Sequence, residues 1–182
     1  MARGNRGRWV ALDYVVTRRD IERAYDCIRD EMTRLYGKSG LPVAAAYHGL
    51  QRVNRHSFYA PANDFGWANL FVNAPAKRYG ANEFTGVFAP GSTIVKESFV
   101  FDVDGSVGVG PLFYMIKMQP GFNAESGDWK FVEADLDDHV AETKGVNGEA
   151  TARCIVCHGK RRTQDCLFFI KPHPKFAKMP EK

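Results

Sequence analysis

The chain comprises 182 residues (20.4 kDa), 45% hydrophobic and 25% charged, with 17 Gly and 9 Pro, the make-up of a single folded domain that excludes a disordered, collagen-like or low-complexity protein. Its uncharged apolar runs, such as 41–47, fall far short of the roughly 18 residues of a membrane span. The formal charge of +4 is uneven, with basic ends around a mildly acidic middle, but the run Lys160-Arg161-Arg162 has no interleaved aromatics, so a nucleic-acid surface is not expected.

Arg3, Arg6 and Arg8 precede a short apolar stretch, 9–16, that is broken by Asp13 and leads to no small-residue cleavage site; no signal peptide is legible. Ile21, Ala24, Tyr25, Ile28, Met32 and Leu35 recur at three- and four-residue steps, with Asp20 before and Gly37 after, and predict an amphipathic helix over 20–36. Residues 38–63 are punctuated by Gly40, Pro42, Gly49 and Pro61 and read as a connection with one helical turn within 43–50. The period then becomes two. Strands are expected over 67–73, 92–102, 106–118 and 129–136, with turns at 102–105, Pro120-Gly121 and Asp137-Asp138. Alternation sets Ile94, Lys96, Ser98 and Val100 on one face and Val95, Glu97, Phe99 and Phe101 on the other. The fold class is therefore α+β: an antiparallel sheet of four to five strands with flanking helices, a short C-terminal helix and a tail punctuated by Pro172, Pro174 and Pro180.

Three of the four cysteines lie near the C-terminus, two of them in Cys154-Ile155-Val156-Cys157-His158. This is the spacing of c-type haem attachment: two thiols on one helical turn can meet the two vinyl groups of a haem, and the next residue then offers an imidazole to iron. A zinc site built from Cys154, Cys157, Cys166 and His158 or His173 is the competing reading, and it lacks a second closely spaced ligand pair. A thioredoxin-like dithiol would need a preceding strand, where 145–151 reads as a polar loop. Cys27 and Cys166 are expected to be buried structural thiols. Candidates for a sixth iron ligand are His48, His56, His139, His173, Met32, Met115 and Met118, none marked out by spacing; Phe113, Met115 and Ile116 are expected to wall a dry distal face. Haem attachment to this motif normally follows export, so the periplasm is the expected compartment.

The succession Gly91-Ser92-Thr93-Ile94-Val95-Lys96-Glu97-Ser98, Gly110-Pro111-Leu112-Phe113-Tyr114-Met115-Ile116-Lys117-Met118, Gly121-Phe122-Asn123-Ala124-Glu125-Ser126-Gly127-Asp128-Trp129, Cys154-Ile155-Val156-Cys157-His158 and Asp165-Cys166-Leu167-Phe168-Phe169 resembles the cytochrome P-460 family over about residues 65–170. The resemblance implies one covalent haem c on Cys154 and Cys157, His158 as proximal iron ligand, and Lys96 joined to the porphyrin edge as in the hydroxylamine-oxidising members. Read from its strand alone, without the resemblance, Lys96 is rather an ordinary lysine snorkelling from a sheet edge. Such members also keep an acidic group by the haem; its expected place, a few residues after His158, holds Arg161 and Arg162 here. The implied function is oxidation of hydroxylamine, with electrons passed to a soluble cytochrome. The alternative is a nitric-oxide-binding or electron-transfer cytochrome of the c-prime-beta kind. The oligomeric state stays open between monomer and homodimer.

Overall fold

The computed structural model describes residues 16–60, 66–80, 86–102, 104–136, 140–143 and 149–169. Helix α1 (Arg18–Gly37) opens with a capping box: the Thr17 hydroxyl accepts from the Asp20 amide at 3.3 Å and the Asp20 carboxylate accepts from the Thr17 amide at 3.0 Å. Asp20 thus closes the box from inside the helix, and the helix starts two residues before the expected 20–36. Its buried side chains, Ile21, Tyr25, Met32 and Tyr36, follow the helical period and cover one face of a sheet. Cys27 is exposed on the outer side, contrary to its expected burial. Helix α2 (Pro42–Ala46), started by a proline, and a 3₁₀ turn at Tyr47–Gly49 fill the helical turn expected within 43–50.

Among the described residues the sheet has eight strands: β1 (Gln51–Arg52), β2 (Phe58–Tyr59), β3 (Trp67–Val72), β4 (Thr93–Phe101), β5 (Val107–Val109), β6 (Leu112–Lys117), β7 (Trp129–Ala134) and β8 (Val140–Glu142). Their order is β1-β3-β4-β6-β7-β8, with β2 also on β3 and β5 also on β4, and the pairing is antiparallel throughout. The fold class is α+β, as expected. The count exceeds four to five because β1, β2 and β8 are two or three residues long, too short for a period of two to register, and because the run 106–118 is two strands. The turn expected at Asp137-Asp138 and the proline tail lie outside the described residues. No helix among the described residues is long and apolar enough to cross a membrane.

The break in 106–118 decides which side chains share a face. Lys96 pairs with Phe113 and Phe99 with Val109, so three steps along β4 face four steps along its neighbour, the signature of a bulge. Gly110 sits at the bulge, its amide donating to the Ser98 carbonyl at 2.8 Å, and a Cβ there would come within 2.6 Å of the Ser98 hydroxyl. Pro111, with no amide hydrogen, cannot continue the ladder. Tyr36 of α1 donates its hydroxyl to the Gly110 carbonyl at 2.7 Å and fixes the bulge from the helix side. In an unbroken strand Val109 and Phe113 would point the same way; the extra residue turns Phe113 and Met115 to the face opposite α1.

Two apolar clusters result. On the α1 side Val95, Phe99, Leu112, Tyr114, Val132 and Ala134 pack beneath the helix. On the other side Leu70, Val72, Ile94, Met115, Trp129 and Phe131 pack with Ile155, Cys166 and Leu167 of the C-terminal segment. The alternation read from β4 holds: Ile94 lies in the second cluster, Val95 and Phe99 in the first.

Candidate functional site

Helix α3 (Ala152–Gly159) carries both closely spaced cysteines. Its start is tied to the sheet by a short relay, in which the Thr151 and Thr143 hydroxyls meet at 2.6 Å and the Phe131 amide of β7 donates to Thr143 at 3.1 Å. Ile155 buries against the sheet, Cys154 is half-buried and Cys157 exposed. Offsets of three and four residues set Cys154, Cys157 and His158 along one side of the helix. Burial, with the Glu133 carboxylate adding to it, raises the Cys154 thiol above its ordinary pKa; Arg153 partly offsets this.

His158 is held rigidly. Its Nδ1 stands 2.7 Å from the Cys166 carbonyl, and because a carbonyl can only accept, Nδ1 carries the proton and Nε2 keeps its lone pair. The ring lies against Phe131 at 4.9 Å and meets Phe168 edge-on at 5.2 Å. Burial lowers its pKa, the Cys166 contact opposes that, and the Lys96 ammonium adds to the lowering. A neutral imidazole with a fixed Nδ1–H and a free Nε2 is the form that ligates a metal.

On the sheet face that packs with α3, one cross-strand row reads Leu70, Lys96, Phe113, Glu133 and Ala141. Lys96 lies over the Phe113 ring at 4.6 Å. Burial pushes its ammonium down to about 8, with Cys154, Glu133 and Cys157 pulling it partly back. The same influences show that the amine, the two thiols and the carboxylate share one locality. Glu133, two strands or about 10 Å of backbone from Lys96, is itself ion-paired with Arg153, the residue before Cys154. The carboxylate near Lys96 and the two cysteines therefore belongs to β7 rather than to the segment after His158. Sequence reading missed it because Glu133 lies in an ordinary alternating strand, and only the pairing register brings it opposite Phe113. Arg161 instead lies over the Phe168 ring at 5.1 Å.

The other expectations sort by face. Met32 is buried on the inner face of α1, and His48, its Nε2 at 3.1 Å from Glu97, is also on the helix side; neither is near α3. Met115 shares the cluster of Ile155 and Cys154. Ile116 points to the α1 side, so of the expected wall residues Phe113 and Met115 face α3 and Ile116 does not: neighbouring residues of a strand alternate. His139 and His173 lie outside the described residues. Cys166 is buried as expected and packs on Gly127, where a Cβ would approach its sulfur to 3.0 Å. Among the described residues no three His, Cys, Asp or Glu side chains converge as a zinc site would require. No protein-family model matches the chain, and no curated protein matches it significantly.

Proposed function

We propose that this chain is a c-type mono-haem protein of the cytochrome P-460 kind, acting on a small nitrogen oxide, with hydroxylamine oxidation as the leading activity. One observation carries the reading: Cys154, Cys157 and His158 lie along one side of α3, with Nδ1 of His158 committed to the Cys166 carbonyl, and Lys96 and Glu133 stand in one cross-strand row on the sheet face that packs with this helix. The donor set fits a haem, with two thiols for thioether links and a neutral imidazole for iron. Haem, when bound, supplies the iron that takes the substrate nitrogen and the edge from which electrons leave. His158 would hold the iron through Nε2, and Phe113 and Met115 would make the sheet face beside it apolar and limit water there. Glu133 accepts protons from the substrate nitrogen, with Arg153 holding its carboxylate in place. The electrons then pass to a soluble cytochrome, and the periplasm, where such haems are attached, is the compartment proposed.

Lys96 would contribute a third covalent link to the haem, beside the two thioethers. Burial brings its ammonium down to about 8, so above that pH a growing share of the amine would be neutral and could bond to the porphyrin edge; one N–C bond would replace one N–H and one C–H bond, two protons would leave, and an oxidant of the peroxide class would take the two electrons. The yield of the link should rise with pH through about 8, rather than through the ordinary lysine value of 10.5, as followed by peptide mapping. A haem peptide should join the segment of Lys96 to that of Cys154 and Cys157, and Lys96→Arg should release it. Recovery of Lys96 as an unmodified peptide from mature protein would instead favour reversible nitric-oxide binding, a reading supported by the apolar Phe113–Met115 wall.

The decisive experiment is intact mass under denaturing conditions of protein made in a host competent in haem maturation. The expected result is one haem mass, with Cys154→Ser and Cys157→Ser each leaving a single thioether. Ferrous protein should bind carbon monoxide and nitric oxide. A chain that carries zinc and no haem mass would end the proposal.

A further inference from the structure

The segment that holds His158 is built from two consecutive non-glycine residues in the left-handed region, Asp165 at φ 52° and Cys166 at φ 60°. L-residues enter this region rarely and as isolated cases, because Cβ crowds the backbone. Asp tolerates it; Cys has no side-chain hydrogen bond to ease it. Such a conformation persists only where its surroundings over-determine it, and here they do. One Asp165 oxygen accepts from Lys117 Nζ at 2.5 Å and the other from the Phe88 amide at 2.8 Å. The Asp165 carbonyl accepts from the Trp129 indole at 2.8 Å, and the Cys166 amide donates to the Arg161 carbonyl at 2.9 Å. Lys117 also donates to the Gly127 carbonyl at 2.7 Å and lies over the Trp129 ring at 5.2 Å. The Lys117 and Asp165 side chains are only 6% and 5% exposed.

We infer that the buried Lys117–Asp165 ion pair is the positioning element of His158: it locks the left-handed Asp165-Cys166 step, which sets the Cys166 carbonyl against Nδ1 and so fixes the tautomer and electron donation of the proximal ring. Neither residue touches the imidazole. The ion pair spans from the end of β6 to the loop after α3, so the sheet that supplies Lys96 and Phe113 also sets the ring. A carbonyl acceptor on Nδ1–H strengthens donation from Nε2 and favours the ferric state, which lowers the reduction potential. This part rests on the haem reading; control of the tautomer does not.

The test uses the full-length chain in two forms. The double variant Lys117→Met with Asp165→Asn removes both charges together, so no unpaired charge is buried, and asparagine still tolerates the left-handed region and can accept from Phe88. Removing the Lys130–Glu142 pair, held at 2.7 Å elsewhere on the sheet, serves as control through Lys130→Met with Glu142→Gln. In the haem-loaded protein the Lys117/Asp165 variant should show a more positive midpoint potential and a lower iron–histidine stretching frequency, with the control unchanged. In protein made without haem, ¹⁵N NMR of the His158 ring should show the proton fixed on Nδ1 in the parent and shared between the nitrogens in the variant. Unchanged potential, stretch and tautomer in a folded variant would overturn the inference. If the parent takes up no haem, the haem reading falls and the tautomer alone decides this one.

Discussion

Glu133→Gln should lower the rate of hydroxylamine oxidation by about 10²–10⁴-fold, the usual contribution of a positioned acid or base. The exchange is close to isosteric, and the glutamine carbonyl can still accept from Arg153, so the bond that ties α3 to β7 survives. What disappears is the carboxylate in the row with Lys96 and Phe113, the group to which the proposed function assigns proton removal. Haem mass, carbon monoxide binding and unfolding midpoint should stay near those of the parent, and steady-state oxidation with an excess of electron acceptor reports the loss. A variant that keeps its full rate would remove Glu133 from the chemistry. Coupled loss of haem would assign it to the scaffold.

A second large effect belongs to the opposite face. Glu97 is fully buried, accepting from the Tyr47 hydroxyl at 2.5 Å and the Asn69 amide at 3.0 Å, with His48 Nε2 at 3.1 Å. Burial first, and the carboxylate second, hold the Tyr47 phenol far above its ordinary pKa, so it remains a donor. Asn69 in turn accepts from Arg52 at 2.6 Å, and Arg52 reaches Glu22 of α1 at 3.1 Å. The network thus joins α1, the Tyr47–Gly49 turn, β1, β3 and β4. Glu97→Ala strands these donors, at about 1–3 kcal/mol for each buried group left unpaired; the total loss should reach about 3–5 kcal/mol, in the range seen when a buried charge network is broken. Urea unfolding should show a lower midpoint with an unchanged slope. Because Glu97 and Lys96 point through opposite faces of β4, carbon monoxide binding to the haem-loaded protein should be preserved. A loss below about 1 kcal/mol would show that the network contributes little to stability.

Local pattern was enough for the elements whose signals are local. The three- and four-residue spacing of α1 predicts its buried face because that face is decided within the helix, and the strict alternation of β4 places Lys96 and Glu97 on opposite sides because parity in a regular strand needs no partner. The spacing of Cys154, Cys157 and His158 likewise puts two thiols and an imidazole along one helix side before any packing is known. Tertiary structure decided what depends on register. The bulge at Gly110 reverses the parity of β6 relative to β5, so Phe113 and Met115 face α3 while Ile116 does not; the Gly110-Pro111 step hints at a break within 106–118, but only the pairing register shows that it reverses the parity. Glu133 becomes a site residue only through the β6–β7 pairing, since a carboxylate in an alternating strand looks like any solvated position. The tautomer of His158 follows from the Cys166 carbonyl, which is aimed by two left-handed residues and by Lys117, 48 positions away from Asp165 in the chain. Contacts over such separations are specified by the assembled sheet as a whole, and neither partner carries a local sequence signal that names the other.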